Sequence, residues 1–131
     1  MNIKHHIIAL LIVLAMTTPA SAFDEWSERD IALEFTWVTI NLVDWSQTRW
    51  MAQHDWKWNK KCYHENNPVL GKYPKVSEVD LYFAAGTLLH IGVTHVLPKE
   101  YRPYWQYVWI IGTSCTVINN NHIGAGLRLE F

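Results

Sequence analysis

Between Ile31 and Met51 apolar side chains return at three- and four-residue steps, through Ile31, Phe35, Val38, Leu42 and Trp45, with no Pro or Gly among them. That spacing predicts an α-helix, and Ser27 followed by Asp30 resembles its N-terminal cap. The helix is expected at about 28–53. Polar residues interrupt it in step: Glu34, Asn41 and Thr48 recur at seven-residue spacing with Asp44 between, so all four share one stripe. A second apolar run begins near Leu81 and stops before Pro98, which predicts a helix over 79–97 with Thr87, His90 and Thr94 on one face. The third, over 103–119, carries Gln106 and Thr113 in step with Asn120. Between the first two lies a polar, Lys-rich loop, 54–77, broken by Pro68, Gly71 and Pro74. So long a connection in a small chain draws attention as a functional segment.

Composition turns these helices toward a membrane. Half of the 131 residues are apolar and 18% are charged, against about 25% in an average soluble chain. Eight Trp residues suit membrane–water interfaces, where an amphipathic ring is at home. At the N-terminus a basic start, the apolar run Ile7–Met16 and the small residues Ala20 and Ala22 read as an export signal over 1–22. The remainder, 23–131, is then a single domain. The fold class expected is all-α: a small membrane helical bundle, with an N-terminal signal helix and three short transmembrane helices whose polar stripes face one another. Lys and Arg are concentrated in the loop, so the positive-inside rule places this bundle in a bacterial inner membrane with the Lys-rich loop and C-terminus cytoplasmic. Cys62 would then lie in a reducing compartment, and no disulfide with Cys115 is expected. The alternating tail ending in Phe131 leaves an outer-membrane β-barrel as the alternative. A formal charge of −1 argues against nucleic acid as a partner.

Two segments carry a resemblance: Asp44-Trp45-Ser46-Gln47-Thr48-Arg49, and the stretch from Glu65 through Asn67, Pro68, Leu70 and Gly71 to Pro74. With Tyr82-Phe83, His90, Leu97-Pro98, Arg102, Trp105-Gln106 and Asn120 they resemble a group of small membrane proteins of proteobacteria and their phages. That group pairs an Asp-x-x-Gln-Thr helix end with a Glu-x-Asn-Pro-x-Leu-Gly loop. The resemblance implies helices and marks Asp44, Thr48, Glu65, Asn67 and His90. It implies no activity.

Candidate chemistry is sparse. Asp44, Glu65 and His90 are the candidates for acid–base or ion-handling work, and Thr48, Asn67, Arg102, Gln106 and Asn120 for binding. Each has a plainer reading. Asp44 could pair with Arg49 or a neighbouring helix, since buried carboxylates need partners. Turn chemistry explains Pro68 and Gly71, and His90 suits a hydrogen-bonded interior. His54, Asp55, Cys62, His64 and Glu65 lack the spacing of a zinc signature. No phosphate-binding loop, nucleophile elbow or dinucleotide fingerprint is present, so neither a metal nor another cofactor is expected. The sequence therefore suggests a non-enzymatic binding or accessory module acting on another membrane protein or lipid, with homo-oligomers allowed. The alternative is an intramembrane enzyme or an ion- or proton-handling protein using Asp44, Glu65 and His90. Convergence of carboxyl and imidazole groups in one pocket would favour the alternative.

Overall fold

The computed structural model describes residues 24–127. In chain order these form α1 (Glu28–Gln53), a hairpin of β1 (Lys57–Trp58) and β2 (Lys61–Cys62), α2 (Val76–Val96) and α3 (Arg102–Ile123). Local chemistry sets each boundary. Ser27 Oγ accepts from the Asp30 amide at 3.1 Å, and the Asp30 carboxylate accepts from the Ser27 amide at 3.0 Å, closing a capping box on α1. Helix α2 begins earlier than the apolar run because Glu78 reaches back to the Lys75 amide at 2.7 Å. It ends at Leu97, whose extended backbone (ψ 138°) is the conformation favoured before a proline. Helix α3 outruns its apolar run and stops at Gly124, which takes the left-handed conformation (φ +98°) of a helix C-terminus.

The membrane reading is overturned. No helix among the described residues is long and apolar enough to cross a membrane. The bundle of three transmembrane helices, the inner-membrane placement and the cytoplasmic loop and C-terminus all depended on such spans. The physical reason lies in the stripes themselves. Glu34, Asp44 and Arg49 break α1, Glu78 and Asp80 open α2, and α3 starts on Arg102 and finishes through Asn119, Asn120 and Asn121. Apolar periodicity at 3.6 residues marks an amphipathic helix before it marks a span. The barrel alternative does not fit either: Asn119–Ile123 belong to α3, and the only strands among the described residues are the two-residue β1 and β2. The expected signal at 1–22 and the final residues 128–131 lie outside the described part.

Helix α1 packs against both α2 and α3, which scarcely touch each other. An apolar cluster of Trp50, Met51, Ala52, Trp56, Tyr63, Val79 and Ala125 closes one end, where the C-terminus of α1, the hairpin and the ends of α2 and α3 meet. The hairpin turns through Asn59 and Lys60, both at positive φ, as a two-residue turn of that hand requires. Trp56 anchors it to the next segment by donating to the Pro74 carbonyl at 3.1 Å. Away from this end the interhelical space is polar. Asp30, Glu34, Gln47, Thr48, His90, Thr94, Arg102, Gln106, Thr113 and Asn120 are buried, while Phe35, Leu42, Leu88 and Ile111 face outward.

Candidate functional site

The polar stripes of the three helices meet along α1, and most of the buried polar side chains there, Glu34, Gln47, His90, Gln106, Thr113 and Asn120 among them, take a partner from another helix. At the far end from the apolar cluster, Glu34 is the hub. His90 Nδ1 lies 2.9 Å from Glu34 Oε1, and Gln106 donates to Glu34 Oε2 at 2.9 Å. Burial pushes the Glu34 carboxyl up, but hydrogen bonds from His90, Gln106 and Thr94 outweigh it and hold the group below its ordinary value. Aromatic rings cover both faces of His90: Trp37 stacks with its centroid at 3.6 Å and Trp105 at 5.4 Å. A carboxylate on Nδ1 is how a catalytic imidazole is oriented, but a ring sandwiched by indoles is better explained as a fixed strut. Arg102, fully buried, donates to the carbonyls of Thr94, His95 and Leu97 at the end of α2 and of Asp24 and Glu25 before α1.

Toward the hairpin end the seam opens around Asp44. Asn120 Nδ2 donates to Asp44 Oδ1 at 3.1 Å and to Gln47 Oε1 at 3.2 Å. Arg49 pairs instead with Asp80, at 3.2 Å. Over this opening lies the loop with the Glu-x-Asn-Pro-x-Leu-Gly pattern, and its residue types now have physical reasons. Glu65 Oε1 accepts from the Asn67 amide, and Asn67 Oδ1 accepts from the Val69 amide, each at 2.9 Å. The Asn67 side-chain amide donates to Tyr82 Oη at 2.6 Å, tying the loop to α2. Gly71 closes the turn at φ +79°, bonded back to the Asn67 carbonyl. Glu65 therefore belongs to the turn through one oxygen, a use that sequence reasoning did not assign to it.

Together these elements shape a cleft of about 770 Å³ lined by Asn41, Asp44, Thr48, Glu65, Asn67 and Asn120, among others. Burial pushes the Asp44 carboxyl up, and the facing charge of Glu65 pushes it further; the Asn120 hydrogen bond offsets only part, leaving it at about 7. No Lys or Arg lines this cleft among the described residues. A second cavity of about 700 Å³ runs on toward Trp37 and His90, and the two share Asn41, Leu70, Tyr82, Phe83 and Trp109. They form one groove: α1 is the floor, α2 and α3 are the walls, and the loop closes one end.

Of the residues singled out in the sequence, Asp44, Glu65, Thr48, Asn67 and Asn120 gather at the polar end of the groove. His90 and Gln106 stand at the other end, and Arg102 lies beyond it as a tie between helix ends. The three acid–base candidates are thus not brought together. The carboxylate that meets His90 is Glu34, which sequence spacing placed on the right stripe without showing what it faced. Tyr82 and Trp109 were not singled out as site residues, because nothing local marks which aromatic side chain borders a groove. Cys62 and Cys115 are both exposed and unpaired. Among the described residues no three His, Cys, Asp or Glu side chains are grouped as metal ligands would be.

No protein-family model matches the chain, and no curated protein or solved structure does either.

Proposed function

We propose that this chain is a ligand-binding protein that takes up a small organic cation, such as a protonated amine, in the cleft between Asp44 and Glu65. The observation that carries this reading is the pairing of two carboxylates, one from α1 and one from the loop, across a cleft that offers them no Lys or Arg. Burial first, and repulsion by the like charge of Glu65 second, make Asp44 hold its proton to about pH 7. A cation between them removes that repulsion and favours the ionised form. Asn41, Thr48 and Asn120 supply neutral hydrogen-bonding groups, and the rings of Tyr82, Phe83 and Trp109 offer faces that attract cations. Binding is by charge and shape, with no chemical conversion required.

Ethylamine is a suitable first probe. In titration calorimetry we expect saturable binding at pH 8, where Asp44 is already mostly ionised, and proton release on binding that grows as the pH is lowered to 7 and below. Affinity should fall between pH 7 and pH 6, approaching about tenfold per unit once Asp44 is mostly protonated. Asp44→Asn keeps the shape and the bond from Asn120 while removing the charge, and should abolish binding with the helical circular-dichroism spectrum unchanged. If wild-type protein takes up no ethylamine, or Asp44→Asn binds it equally well, the reading is wrong.

A further inference from the structure

The polar cleft is only one half of the groove. Past Tyr82 and Phe83 the walls become almost wholly apolar, with Leu81, Ala85, Gly86, Leu89 and Val93 from α2 facing Trp105 and Trp109 from α3. The two halves share lining residues and adjoin. Glu78, in the first turn of α2, and His90 also border the second cavity, which otherwise offers mainly indole rings and aliphatic chains. A small cation would fill the first half and leave the second unused.

We infer that the natural ligand is an elongated amphipathic cation, with its ammonium head between Asp44 and Glu65 and an apolar tail along Tyr82, Phe83 and Trp109 toward Gly86. This inference rests on the cation reading above and names the ligand class for that site. Asp44 and Trp37 lie two turns apart on α1, about 10 Å, which sets the scale of the tail. Head and tail have separate anchors, so each can be tested without the other. Gly86 supplies the means: a Cβ built there meets nothing within 4 Å, so a larger side chain occupies groove space and not protein. Gly92, on the same helix but outside the groove lining, is equally open and serves as the control.

The experiment titrates primary n-alkylamines from ethylamine to n-decylamine, below their micellar concentrations, into the full chain at pH 8. Affinity should climb about fourfold per methylene, the usual gain for burying one CH₂, and level off once the chain outgrows the roughly 10 Å groove. Gly86→Leu should leave ethylamine binding as it was and lower n-decylamine affinity at least roughly tenfold, the worth of two or so buried methylenes. Gly92→Leu should change neither. Asp44→Asn should abolish ethylamine binding and weaken that of every longer amine. If ethylamine binds but affinity is flat along the series, the tail site does not exist, although the cation reading stands. If the chain-length gain survives Gly86→Leu, the tails lie on the exposed apolar faces and the inference is overturned. If ethylamine itself fails to bind, both readings fall together.

Discussion

Asp44 and Glu34 sit on the same stripe of α1 and are pushed in opposite directions. Burial and the charge of Glu65 raise Asp44 from 3.8 to about 7, whereas the donors around Glu34 bring it below its ordinary value despite burial. The two therefore act on stability with opposite sign. Folded protein keeps the Asp44 proton through a window, from about pH 4 to pH 7, in which the unfolded chain has lost it. Asp44 is thus best tolerated below about pH 4, and by pH 7 its ionisation weighs against the fold by on the order of 4 kcal/mol. The stabilising contribution of Glu34 is present above its ordinary value and lost as pH falls through its lowered one. We expect Asp44→Asn to be more stable than wild type above pH 7 and to lose the decline that wild type shows between pH 5 and pH 7. Urea denaturation at a series of pH values measures both; identical slopes for the two proteins would contradict the placement of Asp44. The sequence showed Asp44 as a charge on an otherwise apolar period, which was enough to single it out. It could not show that Glu65, distant in the chain and held by a turn, would face it. Nor could it pair Glu34 with His90, because helical periodicity gives the face of a helix and not the rotation of its neighbour.

At the level of elements, the helix ends matter as much as the seam. Helix boundaries were legible where a side chain with a specific job marked them: Ser27 with Asp30, and Pro98. They were illegible where a helix continued through polar residues. Helix α3 extends through Asn120 because that side chain bridges Asp44 and Gln47, a tertiary contact no local signal announces. The same polar residues explain why the helices supply no membrane span: polar stripes turned toward one another suit a bundle in lipid and a bundle in water alike, and the apolar length left over is too short to decide for lipid. Arg102 shows how the ends are joined. Its guanidinium gathers five backbone carbonyls from the end of α2 and the segment before α1, with Asp30 at 3.9 Å. Those carbonyls include the unsatisfied ones at a helix C-terminus. Arg102→Met should cost about 3–5 kcal/mol, as removing one buried charge from its partners does. Arg102→Lys should recover little of that loss, since an ammonium lacks the planar fork of donors. Chemical denaturation tests this; a loss under about 1 kcal/mol would mean that the ties between helix ends carry no weight.

Across the whole molecule, the pairing of α1 with α3 has a consequence for how the chain reaches its structure. Gln106 bonds Asp30, and Asn120 bonds Asp44, across 76 positions of sequence in each case. Helical proteins fold fast when their contacts are local, and here the principal helix pair is the most distant one. Polar contacts of this kind also return little net free energy until water has been excluded around them. The apolar cluster is different, for Trp50, Met51, Trp56 and Tyr63 lie within one short stretch of chain. The order of events should follow: the hairpin end condenses early and the seam closes last, zipping α3 onto α1. Stopped-flow kinetics can resolve this by comparing two substitutions. Met51→Ala should slow refolding, while Thr113→Val should mainly hasten unfolding, the signature of a contact formed after the rate-limiting barrier. The reverse pattern would put the polar seam in the folding nucleus. On this order the groove would be the last part of the molecule to form and the first to open, so an occupant would act as a brake on unfolding as well as a ligand.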